Sequence, residues 1–231
     1  MKKYKDPIIM FDKWYEKAKN CNAILDASAM NLATVSKQNK PSNRMVLLKD
    51  FSEEGFVFYT NLESNKGQDL HANPYASLCF YWEPLAQQIR IEGHVQKVGD
   101  DEANQYFSSR PTKSKIGAWV SKQSKKMESD NLLKEIAKFS LKNKTKQINR
   151  PPYWSGFRVT PNRIEFWQKG NFRLHERLVY TFDENQWKTI LQKADKTKDI
   201  WLDVFDEYSI EILTQNLELV YGLKLQVSVL F

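Results

Sequence analysis

The chain has 231 residues, of which 41% are hydrophobic and 27% are charged, with a formal net charge of +7. This length supports a substantial core in one or two domains. No apolar run approaches the roughly 20 residues of a membrane-spanning helix, and the charged N-terminus makes a poor signal peptide. We therefore expect a cytoplasmic globular protein whose positive surface attracts anions.

The cysteine and histidine content argues against a metal site. The chain holds two cysteines, Cys21 and Cys79, and three histidines, His71, His94 and His175, and these residues do not cluster along the sequence. Zinc sites usually combine several such ligands at short spacing. We expect no metal, and we expect both cysteines to be reduced.

The N-terminal quarter is predicted to hold one helix and three strands. Apolar residues follow a helical period over 8–25 and alternate over 30–36, which predicts a helix and then a strand. Two strand-like segments follow, 44–51 and 55–61, joined by a short polar turn. This arrangement predicts a β-hairpin between them.

The middle of the chain alternates helices and strands. Residues 64–74 are predicted to form a short helix with Ser64 as its N-cap. Strands are predicted over 75–82 and 87–98, and a further helix over 99–111, where acidic residues favour the helix N-terminus.

The last part adds one amphipathic helix and two long strands. The helix is predicted over 129–144 with Ser129 as its N-cap, and the strands extend over 157–182 on either side of a turn at 169–171. Strands dominate and mostly follow one another directly. This pattern favours an antiparallel barrel with flanking helices over a parallel α/β sheet.

One predicted strand concentrates positive charge on a single face. The segment NFRLHERLVY, residues 171–180, places Arg173, His175 and Arg177 two residues apart. Alternate side chains of a strand point to the same side, so these three residues are predicted to share a face. The spacing alone does not explain why they do so.

Two other clusters are candidates for phosphate binding. Tyr106 and Arg110 lie four residues apart and are predicted to share a helix face, with Ser114 in the loop that follows. Lys66 lies at a predicted helix N-terminus, where free N–H groups can hold an anion. The alternative is that these residues are ordinary helix ends with exposed charges.

Eight short motifs occur in one fixed order: RMVLLK, GFVFYTN, IRIEG, YFSSRP, SKIGAWVSKQS, RPPYWSGFRV, IEFWQ and RLHERL. Together, over roughly residues 10–188, the chain resembles the pyridoxine/pyridoxamine 5′-phosphate oxidase family. The resemblance implies a mainly β fold, the FMN-binding split β-barrel, with a Greek-key-like antiparallel arrangement and flanking helices. It also implies a homodimer with FMN at the subunit interface.

The resemblance assigns roles by position. The cofactor FMN is expected to contact Arg44, Met45, Val46, Leu47, Leu48, Lys49, Tyr59, Thr60, Lys66, Gln88, Gln123, Ser124, Trp167 and Arg177. The substrate is expected to contact Lys49, Tyr106, Arg110, Ser114, Arg173 and His175. Arg173 and His175 are also the expected catalytic residues, the first orienting the substrate and the second holding geometry or handling a proton.

The implied activity is the oxidation of pyridoxamine and pyridoxine 5′-phosphates by O2, which gives pyridoxal 5′-phosphate and hydrogen peroxide. The expected partners are therefore these phosphorylated B6 vitamers, O2 and a second copy of the chain. Nucleic acid and membranes are not expected partners. A nucleic-acid binder would need aromatic residues interleaved with its basic runs, and the sequence lacks that pattern.

The chain departs from the family pattern at both ends and at one site residue. Asn65 stands where the family usually has an arginine, and the segment that can cover the substrate has no counterpart before residue 10. Residues 191–231 are predicted to form an atypical extension of the domain 1–190, with a strand over 217–231. Deletion of residues 192–231 is expected to leave flavin binding intact. These departures keep a second reading open, a split-barrel protein that binds FMN or pyridoxal phosphate with impaired or absent catalysis.

Overall fold

The computed structural model describes residues 2–121, 132–143, 147–170 and 175–192. Within these residues, nine strands form one antiparallel sheet: β1 (Ala29–Val35), β2 (Pro41–Leu47), β3 (Asp50–Ser52), β4 (Gly55–Asn61), β5 (Tyr75–Trp82), β6 (Gln87–Lys97), β7 (Trp154–Gln168), β8 (Glu176–Asp183) and β9 (Gln186–Gln192). The helices that flank it are α1 (Pro7–Lys19), α2 (Asn65–Ala72), α3 (Asp100–Ser109), α4 (Thr112–Val120) and α5 (Leu132–Lys142). Among the described helices, none combines the length and apolar character needed to cross a membrane.

The sheet curls into a half-barrel because its longest strand, β7, pairs with three others. The strand order is β2-β1-β5-β6-β7-β4-β3. Strand β6 follows one edge of β7 from Phe157 to Gln168, whereas the opposite edge is divided between β4 in its first half and β8 in its second half. The expected antiparallel split-barrel architecture is therefore confirmed.

A bulge in the β6–β7 pairing changes which side chains of β7 face the core. Gly93 pairs with Pro161 and Glu92 pairs with Arg163, so Asn162 is an extra residue. Before the bulge the odd-numbered Phe157 and Val159 are buried in the core, and after it the even-numbered Ile164 and Phe166 are. Alternate residues of a strand face the same side, so one extra residue moves the core-facing positions from odd to even numbers.

The core lies inside the curled sheet and is closed at one end by α1. Phe11 of this helix packs edge-on against Phe51, Phe56 and Phe80, with ring centroids 4.8–5.3 Å apart. The Tyr180 hydroxyl on β8 donates a hydrogen bond of 2.7 Å to the Tyr4 carbonyl. These contacts attach the N-terminal segment to both the first and the last parts of the sheet.

The predicted hairpin between 44–51 and 55–61 is wrong in its pairing. Strand β2 ends at Leu47 and pairs with β1, while the short β3 alone pairs with β4. The chain changes partners at two consecutive residues. The Leu48 N–H bonds to the Ser28 carbonyl, and the Lys49 N–H bonds to the Val57 carbonyl. The segment 44–51, which the sequence predicts as one strand, is therefore divided between β2 and β3 at this corner of the barrel.

Two helix predictions need correction as well. Helix α1 ends at Lys19 instead of residue 25, because Asn20 caps it through its backbone and side-chain nitrogens, both of which bond to the Glu16 carbonyl. Ser114 does not lie in a loop: it belongs to α4, which the sequence analysis missed.

The prediction that Arg173, His175 and Arg177 lie on one strand is wrong for His175. Strand β8 begins at Glu176, so of these three residues only Arg177 belongs to the described strand. Arg173 lies outside the described residues, as do Ser129, the predicted cap of α5, and the predicted strand over 217–231. Strand β9 continues to Gln192 and so crosses the predicted domain boundary at 190.

Gly93 provides a test of the bulge. A Cβ atom at this position would lie 2.1 Å from the Thr160 carbonyl oxygen on β7, whereas a Cβ at Gly99 would have nothing within 4 Å. We expect Gly93→Ser to lower the free energy of unfolding by about 1–3 kcal/mol, the usual cost of overpacking. The matched control Gly99→Ser should change it by less than about 0.5 kcal/mol, as surface substitutions usually do. Urea denaturation of both variants checks this, and equal midpoints would contradict it.

Candidate active site

A cleft of about 530 Å³ opens between β2, β4, the N-terminus of α2, the end of α3, and α4. Its walls come from residues far apart in the sequence: Met45, Val46, Leu47, Lys49, Tyr59, Thr60, Asn61, Lys66, Tyr106, Arg110, Ser114, Gly117, Ala118, Ser121 and Trp154. Of these described lining residues, three are cationic and none is acidic. Such a cleft attracts anions of the size of a small phosphorylated molecule.

The N-terminus of α2 brings a lysine into this cleft. Ser64 caps the helix, as predicted, and its Oγ accepts a hydrogen bond from the Gly67 N–H. A Cβ on Gly67 would lie 2.2 Å from the Leu62 carbonyl oxygen, so only glycine allows the preceding loop to pack this closely. The close packing holds Lys66 in the second position of the helix, where the helix dipole favours an anion.

Lys66 is a buried cation with neutral partners. Its residue is 8% exposed, and its Nζ donates hydrogen bonds of 3.3 Å to the Thr60 and Ser64 hydroxyls. Burial, and secondarily the nearby Arg44 guanidinium, lowers the pKa of Lys66. A bound anion would reverse this unfavourable electrostatic balance.

Arg44 lies beside the cleft but does not line it. Its guanidinium donates hydrogen bonds of 2.6 Å to the Thr34 and Ser42 hydroxyls, and it lies 3.8 Å from the Asp69 carboxylate. These contacts join β2 to β1 and α2. Leu48, another residue predicted to contact FMN, is 4% exposed and packs in the core.

An aromatic cluster forms the opposite wall. The rings of Tyr59, Tyr106 and Trp154 are nearly parallel, with interplanar angles of 6–14° and centroids 4.0–6.2 Å apart. Burial, and to a smaller extent Glu102, raises the pKa of Tyr59 to about 12. A Cβ on Gly156 would lie 2.7 Å from the Tyr59 ring, so this glycine makes room for the cluster.

Arg110 follows the end of α3, and its guanidinium lies over the Trp154 and Phe107 rings. Its backbone is extended, so the predicted shared helix face with Tyr106 is wrong, although both residues line the cleft. The guanidinium carbon lies 4.7 Å from the Trp154 centroid. Among the described residues its Nη1 is buried and has no hydrogen-bond partner. Burial lowers the pKa of Arg110, with Tyr106 acting in the opposite sense.

A second cluster lies at the other end of β7. Gln88, Trp167 and Arg177 stand directly opposite one another on β6, β7 and β8. The His175 ring packs 4.7 Å from the Trp167 ring, and its Nδ1 accepts a hydrogen bond from the Gly170 N–H at 3.3 Å. The 13 residues from Trp154 to Trp167 correspond to roughly 40 Å of extended strand. The second cluster therefore does not line the cleft of its own chain.

The structure places most of the predicted site residues in two groups, leaves Arg44 and Leu48 outside both, and does not describe three others. The cleft holds Met45, Val46, Leu47, Lys49, Tyr59, Thr60, Lys66, Tyr106, Arg110 and Ser114, and the second cluster holds Gln88, Trp167, His175 and Arg177. Gln123, Ser124 and Arg173 lie outside the described residues. The sequence analysis missed Trp154, although the motif RPPYWSGFRV that contains it was one of the eight.

Family models match nearly all of the described chain. The model for pyridoxamine 5′-phosphate oxidase matches residues 18–168, and the model for the pyridoxine 5′-phosphate oxidase C-terminal dimerisation region matches residues 154–191. This chain belongs to the pyridoxamine 5′-phosphate oxidase family. The resemblance seen in the sequence motifs is therefore confirmed, and β7 is common to both matched regions.

Individual relatives agree with the family match. The chain is 49% identical to a pyridoxine/pyridoxamine 5′-phosphate oxidase of Myxococcus xanthus, over 80% of this chain and 89% of that protein. It is 53% identical to one of Bartonella henselae, over 79% of this chain and 89% of that protein.

Two solved structures share the fold. PhzG from Burkholderia lata, in complex with tetrahydrophenazine-1-carboxylic acid, superposes with a TM-score of 0.78 at 28% identity over 82% of this chain and 93% of that one. An FMN-binding, oxidase-related protein from Nostoc punctiforme superposes with a TM-score of 0.64 at 15% identity over 79% and 94% of the two chains. The second likeness concerns the fold alone.

The buried lysine predicts a pH dependence of stability. Because the pKa of Lys66 is lowered in the fold, the unfolded chain binds more protons between the folded pKa and the ordinary value of 10.5. This lysine therefore makes a contribution to stability that rises with pH in that window. We expect wild type to gain stability relative to Lys66→Met on going from pH 7 to pH 10, as measured by urea denaturation.

Lys40→Met serves as the control, because it removes one positive charge at an exposed turn. Its stability difference from wild type should vary less with pH. A difference between wild type and Lys66→Met that is constant or falls with pH would contradict the assigned burial of the ammonium group.

Proposed function

We propose that this protein oxidises pyridoxine and pyridoxamine 5′-phosphates to pyridoxal 5′-phosphate with O2 as the acceptor, using bound FMN. The observation that carries the proposal is Arg110, which lines a cationic cleft and whose buried guanidinium Nη1 has no hydrogen-bond partner among the described residues. A buried polar group without a partner is costly, so a ligand with acceptor oxygens is the expected complement. The names of the relatives point to phosphorylated B6 vitamers as that ligand.

The donor set of the cleft fits two phosphate groups. Lys66, with Thr60 and the N-terminus of α2, offers one cationic position, and Arg110, with Tyr106 and Ser114, offers another. FMN and the substrate each carry one phosphate. We assign the Lys66 position to the flavin phosphate and the Arg110 position to the substrate phosphate.

The other wall residues suit a flat ring system between these two positions. Met45, Val46 and Leu47 present apolar and backbone groups along β2, and Met45 and Leu47 are 62% and 40% exposed. Apolar side chains that stay exposed at a cleft are available to cover an aromatic ligand and exclude water from it. Bound flavin would supply the two-electron oxidation and its reoxidation by O2.

We place the second cluster in the cleft of a partner subunit. Gln88, Trp167, His175 and Arg177 cannot reach the cleft of their own chain, yet the resemblance assigns them to the same flavin and substrate. A two-fold dimer solves this problem, because it brings the far end of one β7 to the cleft of the other copy. The match to a C-terminal dimerisation region over residues 154–191 supports this arrangement.

His175 acts in this scheme mainly by geometry. Its Nδ1 accepts the Gly170 N–H, so Nε2 is the nitrogen that carries the proton when the ring is neutral. Its packing against Trp167 fixes the ring plane. Arg173 is proposed to orient the substrate beside it, and the whole reaction is expected to take place in the cytosol.

The first experiment separates an oxidase from a split-barrel protein that binds without turnover, the reading that Asn65 keeps open. Protein purified with FMN is expected to show a flavin spectrum and to consume O2, with equimolar pyridoxal 5′-phosphate and hydrogen peroxide, when pyridoxamine 5′-phosphate is added. Arg110→Ala should raise KM for this substrate about 10- to 100-fold, since a charged hydrogen bond contributes about 1.5–3 kcal/mol. Flavin-loaded protein without O2 uptake would refute the oxidase.

The second experiment tests the shared site by mixing two defective chains. One copy carries Arg110→Ala and the other carries His175→Ala with Arg177→Ala, each with a different affinity tag. If each site combines residues of two copies, mixed dimers regain one intact site, and a random mixture should recover about a quarter of wild-type activity. Activity no higher than that of the separate variants would place both clusters in one subunit's site.

A further inference from the structure

Trp154 is an aromatic residue of the cleft wall to which the proposed function assigns no role. It is 6% exposed, lines the cleft, and has the Arg110 guanidinium carbon 4.7 Å from its ring centroid. The same guanidinium lies 5.5 Å from the Phe107 centroid. Two aromatic rings therefore hold the arginine that the proposed function assigns to the substrate phosphate.

The ring of Trp154 is fixed from several directions. Its backbone carbonyl accepts a 2.7 Å hydrogen bond from Arg150 Nη1, and Arg150 is itself bonded to the Asp100 and Asn104 side chains of α3. Its ring lies 8° from the plane of the Tyr59 ring at 5.2 Å. Arg150 thus joins the start of strand β7 to helix α3, which leads into Arg110.

An aromatic ring and a carboxylate can each hold an arginine, but they differ in what they do to its charge and to its N–H donors. A carboxylate occupies the N–H donors and neutralises the charge, whereas a ring face attracts the cation through its quadrupole and leaves the N–H groups free. At Arg110 the buried Nη1 does remain without a partner among the described residues. The ring contact therefore leaves the charge of Arg110 without a neutralising carboxylate and one of its guanidinium donors unused.

We propose that Trp154 is a positioning residue, which holds Arg110 by a cation–π contact so that its free donors face the phosphate monoester of the substrate. This inference rests on the proposed function, because it takes the phosphorylated substrate from there. It adds a residue that acts on the phosphate only through Arg110 and has no effect on the reacting end of the substrate.

The test compares Trp154→Leu, Trp154→Phe and the matched control Trp187→Leu, whose tryptophan packs against Tyr180 and Phe182 on β8. Calorimetry on the FMN-loaded protein measures the Kd of pyridoxal 5′-phosphate and of pyridoxal, and steady-state assays measure KM and kcat. Trp154→Leu should weaken pyridoxal 5′-phosphate binding and raise KM about tenfold, the size expected for a partly desolvated cation–π contact. Pyridoxal binding, kcat and FMN content should change less than about twofold.

Trp154→Phe should lose only about two- to threefold, again for the phosphorylated ligand alone, since the smaller ring attracts a cation less strongly. Thermal melting shows whether Trp154→Leu folds. If it does not, Trp154→Phe provides the same comparison. Trp187→Leu should leave both ligands unaffected. In an Arg110→Met background, Trp154→Leu should have almost no further effect, because the two residues act as one unit.

An equal loss of affinity for pyridoxal 5′-phosphate and pyridoxal would overturn the inference and make Trp154 a general packing residue. Additive effects of the Trp154 and Arg110 substitutions would overturn it as well. Because calorimetry needs no turnover, wild type that binds pyridoxal 5′-phosphate without oxidising pyridoxamine 5′-phosphate refutes the proposed oxidase, while the selective loss in Trp154→Leu still supports the positioning role.

Discussion

The pairing of β7 with three strands is the constraint on which the rest of this molecule depends. Its first half pairs with β4 and places Trp154 in the cleft wall and Gly156 against the Tyr59 ring. Its second half pairs with β8 and forms the cluster around Trp167. Strand β6 crosses both halves and keeps them in one sheet. One strand thus carries both groups of candidate site residues in a single sheet.

The cleft buries two positive charges, and this unfavourable burial would be offset by an anionic ligand. Lys66 and Arg110 are both cations whose pKa values are lowered by burial, and their surroundings are hydroxyls, aromatic rings and a helix N-terminus. Carboxylates in place of these groups would stabilise the fold better, but they would also compete with an anionic ligand. The arrangement gives up some stability in return for affinity, as binding sites commonly do.

The sequence predicted much of the fold because the periodic patterns there are long and regular. Strands β5 and β6 and the cap Ser64 are confirmed, since alternation and capping are local signals. The hairpin between β3 and β4 was extended too far because the partner change at Leu48 and Lys49 depends on distant backbone groups at Ser28 and Val57. No local pattern carries that information.

The candidate site residues were predicted from the family resemblance more than from the spacing of residues along helices and strands. Tyr106 and Arg110 do line one cleft, but the helical spacing that suggested it does not apply, because Arg110 lies beyond the helix. The period-two argument for His175 also fails at the start of β8. The sequence did not reveal Trp154, because its contacts are with the Tyr59 ring and the Arg110 guanidinium, which lie in distant segments of the chain.

The extra residue in β7 has a consequence for how such chains can vary. Asn162 separates a half in which odd-numbered residues face the core from a half in which even-numbered residues do. A chain without this residue would turn Ile164 and Phe166 outwards and Glu165 and Trp167 inwards, since a one-residue slip exchanges the two faces of a strand. The number of residues in β7 therefore determines which of its side chains face the core. Insertions or deletions that leave the fold unchanged are expected in the flanking loops instead.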